Sequence, residues 1–203
     1  MDPDERARFE QIVLPHLDAA FNLARWLLRN RSDAEDVAQD ALLRAYRFFG
    51  GYHGGDARAW LLQIVRNTCY TWLGKNRPAE LMTEFDETHH SVAGAGGSAG
   101  AAAGDNSGGA AEGMPYRSQS SGSPEAQAIA AEDRERLSRA LEELPPRFRE
   151  VLVLRELEGC SYKEIAAITA VPIGTVMSAL SRARKQLQLA LTAPQAKEVA
   201  REL

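Results

Sequence analysis

Apolar residues recur at three- and four-residue spacing through most of the chain, which predicts amphipathic helices rather than strands. Pro15 either kinks the first helix or marks its true start. A capping box of Ser32 and Glu35 is predicted to open the second helix, and Asp56 to cap the third. The first apolar stripe comprises Phe9, Ile12, Val13, Leu17, Phe21, Ala24, Leu27 and Leu28.

The last third of the chain shows the same helical spacing. Ser123 and Pro124 suit the N-cap and first position of a helix that ends at the Leu144-Pro145-Pro146 break. Gly159 closes the next helix, whose apolar positions are Phe148, Val151, Leu152 and Leu157. No long segment shows the strict apolar–polar alternation of a β-strand bounded by turn residues. We therefore predict an all-α fold.

Composition separates the two helical parts. Of the 34 residues from 91 to 124, 24 are Gly, Ala or Ser, and such sequence cannot bury enough apolar surface to become ordered. We therefore predict two small helical domains, residues 1–78 and 124–191, joined by a flexible linker at 79–123. Residues 192–203 form a tail.

Formal charge follows the same division. Residues 1–78 carry +1, residues 79–124 carry −5 and residues 125–203 are neutral, which gives the chain its net charge of −4. Because electrostatic attraction supplies most non-specific affinity for DNA, we expect the free protein to bind bulk DNA poorly.

Several classes of protein are not indicated. The longest apolar runs are too short for a membrane span, and the charged start MDPDERARFE predicts no secretory signal, so we expect a cytoplasmic protein without membrane insertion. Cys69 and Cys160 lie 91 positions apart, which suits neither a disulfide framework nor a zinc site. Without a phosphate-binding loop, a nucleophile elbow or metal-ligand spacing, the sequence predicts no enzyme, no cofactor and no metal.

Two short predicted helices near the C-terminus indicate a helix-turn-helix. Ser161 and Glu164 form a capping box, and a tight break follows at Ala170-Val171-Pro172. In such a motif the second helix enters the DNA major groove by its N-terminal end. Thr175 and Ser178 would then reach base edges, and Arg182, Arg184 and Lys185 would address phosphates. The alternative is a helical hairpin with a solvated basic face.

Aromatic and basic residues alternate from the end of the second predicted helix through the third. Such sequence suits single-stranded nucleic acid, because rings stack on bases and cations pair with the backbone. Trp60 falls on the apolar stripe and is predicted to be core, whereas Tyr70 and Lys75 are the better candidates for exposure. The set comprises Tyr52, His53, Arg58, Trp60, Arg66, Asn67, Tyr70, Trp72, Lys75 and Arg77.

The two blocks together resemble a bacterial extracytoplasmic-function (ECF) sigma factor. Sigma domain two is matched by SDAEDVAQDALLRAYRFF and DARAWLLQIVRNTCYTWLGKNR. Sigma domain four is matched by LEELPPRFREVLVLRELEGCSYKEIAAITAVPIGTVMSALSRARKQL. The resemblance implies a specificity subunit that directs core RNA polymerase to promoters and helps open the DNA.

The resemblance also implies three surfaces and an anti-sigma partner. An acidic helix would dock on the β′ coiled coil through Asp33, Glu35, Asp36, Gln39 and Asp40. The −10 element would be opened and read by Tyr52, His53, Arg58, Asn67, Tyr70, Lys75 and Arg77. The −35 element would be bound beside the β flap by Tyr162, Lys163, Gly174, Thr175, Ser178, Arg182, Arg184 and Lys185.

Five positions depart from the family pattern. Thr71 stands where an Asp is common and Gly74 where an Arg is expected, which weakens the implied −10 contacts. Met177 and Ala179 replace basic residues of the recognition helix, and Ala170 takes a turn position often held by Gly. We therefore expect Ala179→Arg to tighten −35 binding without changing its sequence preference.

Two rival interpretations remain open on the sequence. A stand-alone helix-turn-helix regulator would leave the acidic helix and the aromatic-basic helix unexplained. An adaptor that binds polymerase or another sigma factor without melting DNA is compatible with the departures at Thr71, Gly74 and Ala179. The charge distribution adds a hypothesis, that strong promoter binding requires core polymerase to separate the two domains.

Overall fold

The computed structural model describes residues 3–79, 81 and 124–199, apart from the side chains of 124–126, 128 and 193–199. Within these ranges every regular element is helical, which confirms the all-α prediction. The predicted linker lies almost wholly outside the described residues. The last four residues of the predicted tail lie outside them too.

The N-terminal block is a helical bundle. Its elements are α1 (Pro3–Val13), α2 (Leu17–Leu28), α3 (Arg31–Phe48) and α4 (Ala57–Asn76), with 3₁₀ turns at Leu14–His16 and Phe49–Gly51. Pro15 lies in the first 3₁₀ turn and so marks a break between two helices. Helices α2, α3 and α4 pack against one another around leucines and alanines that are completely buried.

Helix capping follows the sequence at α4 but not at α3. The Asp56 carboxylate accepts a hydrogen bond from the backbone N–H of Ala59 at 3.0 Å, as predicted. The predicted capping box at Ser32 is wrong, because Asn30 is the N-cap and accepts from the N–H of Asp33 at 3.1 Å. The chain leaves α2 through a left-handed Arg29 (φ 56°), so α3 begins before Ser32 is reached.

The C-terminal block comprises α5 (Pro124–Glu143), α6 (Pro146–Leu152), α7 (Tyr162–Thr169) and α8 (Ile173–Val199). Helix α6 continues as a π-helical turn, Val153–Leu157, and Gly159 (φ 65°) ends it, as predicted. The wider turn shifts the helical register, so Val153 and Leu154 are buried whereas Leu157 is 55% exposed. Helix α8 runs past residue 191, the predicted end of the second domain, into the predicted tail.

The two blocks are packed together. Helices α2 and α4 lie against α6 and α7, and buried residues of both blocks form one continuous hydrophobic cluster. This contact places α4 opposite the helix-turn-helix, which is the arrangement that governs the candidate site.

Candidate nucleic-acid interface

Helices α7 and α8 form the predicted helix-turn-helix. Ser161 Oγ accepts from the N–H of Glu164 at 3.2 Å, and the Glu164 carboxylate accepts from the N–H of Ser161 at 2.6 Å, which confirms the capping box. Ala170 takes the left-handed conformation (φ 55°) that normally favours Gly. The two helices are bent by 101°, within the range usual for this motif.

The side chains at the start of α8 divide between solvent and the interior. Gly174 and Ser178 are exposed, as are the apolar Ile173 (46%) and Met177 (53%). Thr175 is only half-buried, and Ala179 is 5% exposed. The N-terminal end of the recognition helix is therefore partly covered in this arrangement.

Further along α8 the basic side chains point to solvent. Arg182 and Lys185 are exposed. Arg184 is exposed too, but its guanidinium Nη2 lies 2.6 Å from Glu156 Oε1, and that hydrogen bond raises its pKa above the usual range. On α7, Lys163 is exposed, while Tyr162 is half-buried beneath the guanidinium of Arg155 at 4.9 Å.

The loop before α4 buries its aromatic residue. Tyr52 is 7% exposed, lies against Phe49 and Trp60, and donates its hydroxyl hydrogen bond to the Gly55 carbonyl at 2.7 Å. Trp60 packs on the core, as predicted. His53 remains exposed, so its side chain is accessible to a ligand.

The end of α4 is anchored through Arg77. Its guanidinium lies over the Trp72 ring at 5.2 Å, donates to the Leu28 carbonyl at 2.8 Å and pairs with Asp33 at 3.0 Å. One predicted −10 residue therefore contacts one predicted docking residue. Asn67 and Lys75 are exposed.

Three other predicted −10 or aromatic-basic residues contact the C-terminal block. Arg66 Nε lies 2.7 Å from Glu150 Oε1, and Tyr70 donates to the other carboxylate oxygen of Glu150 at 3.1 Å. Arg58 Nη2 lies 2.5 Å from Glu158 Oε2. The sequence pattern therefore identified these side chains as a group without revealing their carboxylate partners.

Helix α3 presents the predicted docking residues on one side. Glu35, Asp36, Gln39 and Asp40 are exposed, and Asp33 is half-buried. Glu35 and Asp40 form exposed ion pairs one helical turn away with Arg31 and Arg44, both at 2.9 Å. Such pairs are weak and easily exchanged, so this acidic face is accessible.

Arg149 joins the two blocks, and the sequence interpretation did not identify it. It is fully buried, and its guanidinium donates to main-chain carbonyls at the ends of two helices. The acceptors are Trp26 and Leu27 of α2, at 2.8 and 3.2 Å, and Leu141, Glu142 and Leu144 at the end of α5, at 3.0, 3.1 and 2.6 Å.

A cavity of about 230 Å³ lies where the two blocks meet. Arg66 and Tyr70 of α4 line one side, and Glu150 lies beside them. Thr175 and Ala179 of the recognition helix line the other. One residue of each predicted nucleic-acid surface, Tyr70 and Thr175, therefore lines the same cavity.

The two cysteines are buried thiols. Burial raises the pKa of Cys160 to about 11, an effect that the nearby Arg58 partly opposes. Burial, with a contribution from the Glu150 carboxylate, raises the pKa of Cys69 well above its usual range. Among the described residues no cluster of His, Cys, Asp or Glu could hold a metal ion.

Comparisons with known proteins identify both blocks. The model of Sigma-70 region 2 matches residues 12–78, and that of Sigma-70, region 4 matches residues 134–187. The chain is 31% identical over 196 residues to the RNA polymerase sigma-H factor of Pseudomonas aeruginosa, covering 93% of this chain and 88% of that one. It is 33% identical over 159 residues to the ECF RNA polymerase sigma-E factor of Escherichia coli K12, covering 76% and 72%.

Solved structures agree. The sigma factor RpoE, in complex with the anti-sigma factor NepR from Bartonella quintana, is 28% identical with a TM-score of 0.57, covering 91% of this chain and 97% of that one. CnrH, in complex with the cytosolic domain of CnrY, is 23% identical with a TM-score of 0.57 over 93% and 90%, and shows a shared fold.

A helix-turn-helix together with a second, aromatic-basic helix is typical of nucleic-acid-binding proteins. The chain belongs to the sigma-70 family of RNA polymerase sigma factors, and within it to the ECF type. As a member of this family it is a non-enzymatic transcription initiation factor. The family match favours the sigma interpretation over the regulator and adaptor alternatives. In the part of the chain that the structure describes, no single helix is long and apolar enough to span a membrane; only the bent pair of α7 and α8, taken together, has the length and composition of a broken span.

Proposed function

We propose that this chain directs core RNA polymerase to two-element promoters through three separate surfaces. The single observation that carries the proposal is the helix-turn-helix of α7 and α8, in the same chain as the exposed acidic face of α3. The first surface suits duplex DNA, and the second suits a cationic or polar partner helix. A protein bearing both can connect a polymerase to a promoter.

The acidic face of α3 is proposed to dock on the β′ coiled coil. Asp36 and Gln39 are exposed, and the ion pairs of Glu35 and Asp40 are exposed enough to exchange for partner contacts. Electrostatic complementarity of this kind mainly accelerates association and fixes orientation. The C-terminal block is proposed to rest on the β flap.

The −35 element is proposed to be bound by the recognition helix. Ser178 and Thr175 stand near its N-terminal end, where base edges are read, and Lys163, Arg182, Arg184 and Lys185 supply cations for phosphates. Met177 and Ile173 are exposed and apolar, so they suit contact with thymine methyl groups. Gly174 allows close approach of the backbone, and Tyr162, half-buried beneath Arg155, is proposed as a further −35 contact.

The −10 element is proposed to be opened and held by α4 and the loop before it. His53, Asn67 and Lys75 are exposed for strand contact. Arg58 and Tyr70 are engaged by the C-terminal block, Arg77 by Leu28 and Asp33, and Tyr52 by the aromatic core. This surface is therefore proposed to form fully only after rearrangement.

An anti-sigma factor is a further proposed partner, because the RpoE relative was solved in complex with one. We propose a cytoplasmic location, where the polymerase and the promoter are found.

The test is run-off transcription with sigma-free bacterial core polymerase and a pooled promoter library. We expect discrete start sites that share two upstream elements. Asp36→Lys should reduce core affinity, whereas Ser178→Ala should change the selected upstream sequence while core affinity is retained. Glu142→Lys, a matched charge reversal at an exposed position of α5, should leave core affinity unchanged. Core binding without transcripts would favour the adaptor.

A further inference from the structure

Two carboxylates of the C-terminal block pair with cations of the aromatic-basic set on α4, and one of these cations, Arg58, also belongs to the proposed −10 surface. Glu150 pairs with Arg66 at 2.7 Å, and Glu158 pairs with Arg58 at 2.5 Å. Asn22 of α2 adds a hydrogen bond to Glu158 at 3.4 Å. Two ion pairs therefore connect α4 to the C-terminal block, and each joins residues at least 84 positions apart in the sequence.

Glu150 is held as a specific ligand of α4 rather than as an incidental surface charge. Its side chain is 1% exposed, and its two oxygens are divided between the guanidinium of Arg66 and the hydroxyl of Tyr70. Arg66 also lies over the Tyr70 ring at 4.6 Å. A buried carboxylate is tolerated only when it is paired and hydrogen-bonded in this way.

The recognition helix is covered by the same closure. Ala179 is 5% exposed, and with Thr175 it lines the same cavity as Arg66 and Tyr70. Contact of α4 with the C-terminal block therefore covers part of both proposed DNA surfaces together. Asp36, on the acidic face of α3, stays exposed.

We propose that Glu150 and Glu158 act as phosphate mimics that close the free protein on itself. A carboxylate and a phosphate both accept paired hydrogen bonds from a guanidinium, so the Glu150 and Glu158 side chains can occupy the positions that DNA phosphates take at Arg66 and Arg58. This inference rests on the proposed function, because it takes α4 to be a DNA-binding helix.

The mimicry makes DNA binding an exchange. Each DNA phosphate must displace a carboxylate that is already in place, so two of the cations contribute little net affinity in the closed protein. The exposed face of α3 remains available to polymerase throughout. Docking can therefore precede opening, and promoter binding follows when the two blocks separate.

The test compares the full-length chain with the double variant Glu150→Gln/Glu158→Gln. Glutamine keeps the shape but cannot form the ion pairs. A matched control, Glu142→Gln/Glu143→Gln, removes the same two charges from exposed positions of α5. The probe is a fluorescein-labelled single-stranded DNA 20-mer in a salt titration by anisotropy, with the radius of gyration measured by small-angle X-ray scattering.

We expect the double variant to have a larger radius of gyration than the control and to bind the 20-mer about tenfold more tightly. Its plot of log affinity against log salt should steepen by about 1.4, since each phosphate contact contributes about 0.7 for single strands. Circular dichroism verifies helicity. If the double variant loses helicity, the single variant Glu158→Gln is tested in its place. Since it removes only one ion pair, we expect half the change in salt slope.

Other outcomes overturn the proposal in distinguishable ways. A folded double variant that matches the control in radius and DNA affinity would show that the carboxylates do not hold the protein closed. An enlarged radius without a gain in DNA affinity would show that the covered surface does not bind DNA. That second result counts against α4 as the −10 surface. The proposed function itself fails only if the unmodified chain, added to core polymerase, gives no transcripts.

Discussion

The acidic face of α3 and the cationic face of α4 belong to one bundle, yet they differ in accessibility. On α3, Asp36 is exposed, and the ion pairs of Glu35 and Asp40 are made to neighbours one turn away on the same helix. On α4, Arg58 and Arg66 pair with carboxylates about 100 and 84 positions distant. The side proposed to face polymerase is thus exposed in the free protein, whereas two cations of the side proposed to face DNA are paired with carboxylates.

Because accessibility differs between the two faces, charge count alone does not predict the DNA affinity of this chain. The near-neutral blocks already predict weak binding of bulk DNA. The structure adds that two cations of α4 are neutralised by specific partners, which the local sequence around each cation does not reveal.

The largest expected effect comes from Arg149, which joins the two blocks. Arg149→Leu removes the donor for five carbonyls at the ends of α2 and α5. Leaving buried helix-terminal acceptors without a partner should lower the free energy of unfolding by about 3–5 kcal/mol. Urea denaturation followed by circular dichroism measures this loss.

Arg139→Leu is the matched control for that experiment. Arg139 is exposed and its pair with Glu135, at 3.7 Å, is one helical turn away. We expect a change below about 0.5 kcal/mol for this variant. A loss of less than about 1 kcal/mol in Arg149→Leu would contradict the view that Arg149 stabilises the contact between the blocks.

The fold and the motifs were largely predictable, whereas the contact between the blocks was not. Local signals such as the Asp56 cap and the Ser161–Glu164 box depend on neighbours within three residues, and both are confirmed. Arg149 and Glu150 offered one signal, two adjacent charges among the apolar residues of α6. Their partners lie far away in sequence, so no spacing rule could identify them.

The Ser32 and Leu157 errors have local physical causes. Asn30 competes with Ser32 for the same role, and the left-handed Arg29 decides in favour of the earlier cap. Leu157 loses its place in the apolar stripe because a π-helical turn changes the register. Ordinary helical periodicity cannot anticipate either effect.

The next largest effect is expected from Ala179→Arg, which changes both the recognition helix and the cavity between the two blocks. The new guanidinium would enter a cavity that already contains Arg66 and Arg147 and would compete for Glu150. We expect the blocks to separate and duplex −35 affinity to rise by about tenfold, with the salt slope steeper by about 0.9 for one added phosphate contact. Fluorescence anisotropy on the selected promoter measures both.

Ala190→Arg serves as its control, because Ala190 lies on the same helix, away from the cavity between the blocks. Ala190→Arg should leave the radius of gyration nearly unchanged. It should raise duplex −35 affinity by less than Ala179→Arg does. Equal affinity of Ala179→Arg and the unmodified protein throughout the salt titration would contradict both the extra contact and the opening.

The smallest expected effect is the pH dependence of the Cys160 thiol, which lies beside the α4 contact. Arg58 Nη1 is 3.8 Å from Cys160 Sγ, and burial raises the pKa of this thiol from 9.0 to about 11. The folded protein therefore holds the proton more tightly than the unfolded chain. The associated stability is complete below about pH 9 and is lost as the pH rises toward 11.

Alkylation by iodoacetamide across pH 7–11, read by mass spectrometry of the two cysteine peptides, follows this titration. In the unmodified protein Cys160 should react slowly until the pH approaches 11, and Cys69, whose pKa is raised further by burial and by Glu150, should react more slowly still. In Glu150→Gln/Glu158→Gln the midpoint for Cys160 should fall toward 9 while Cys69 remains protected, because only the contact between the blocks has opened. A midpoint unchanged by the double variant would mean that Cys160 is buried within its own block, and thiol chemistry would then report unfolding rather than opening.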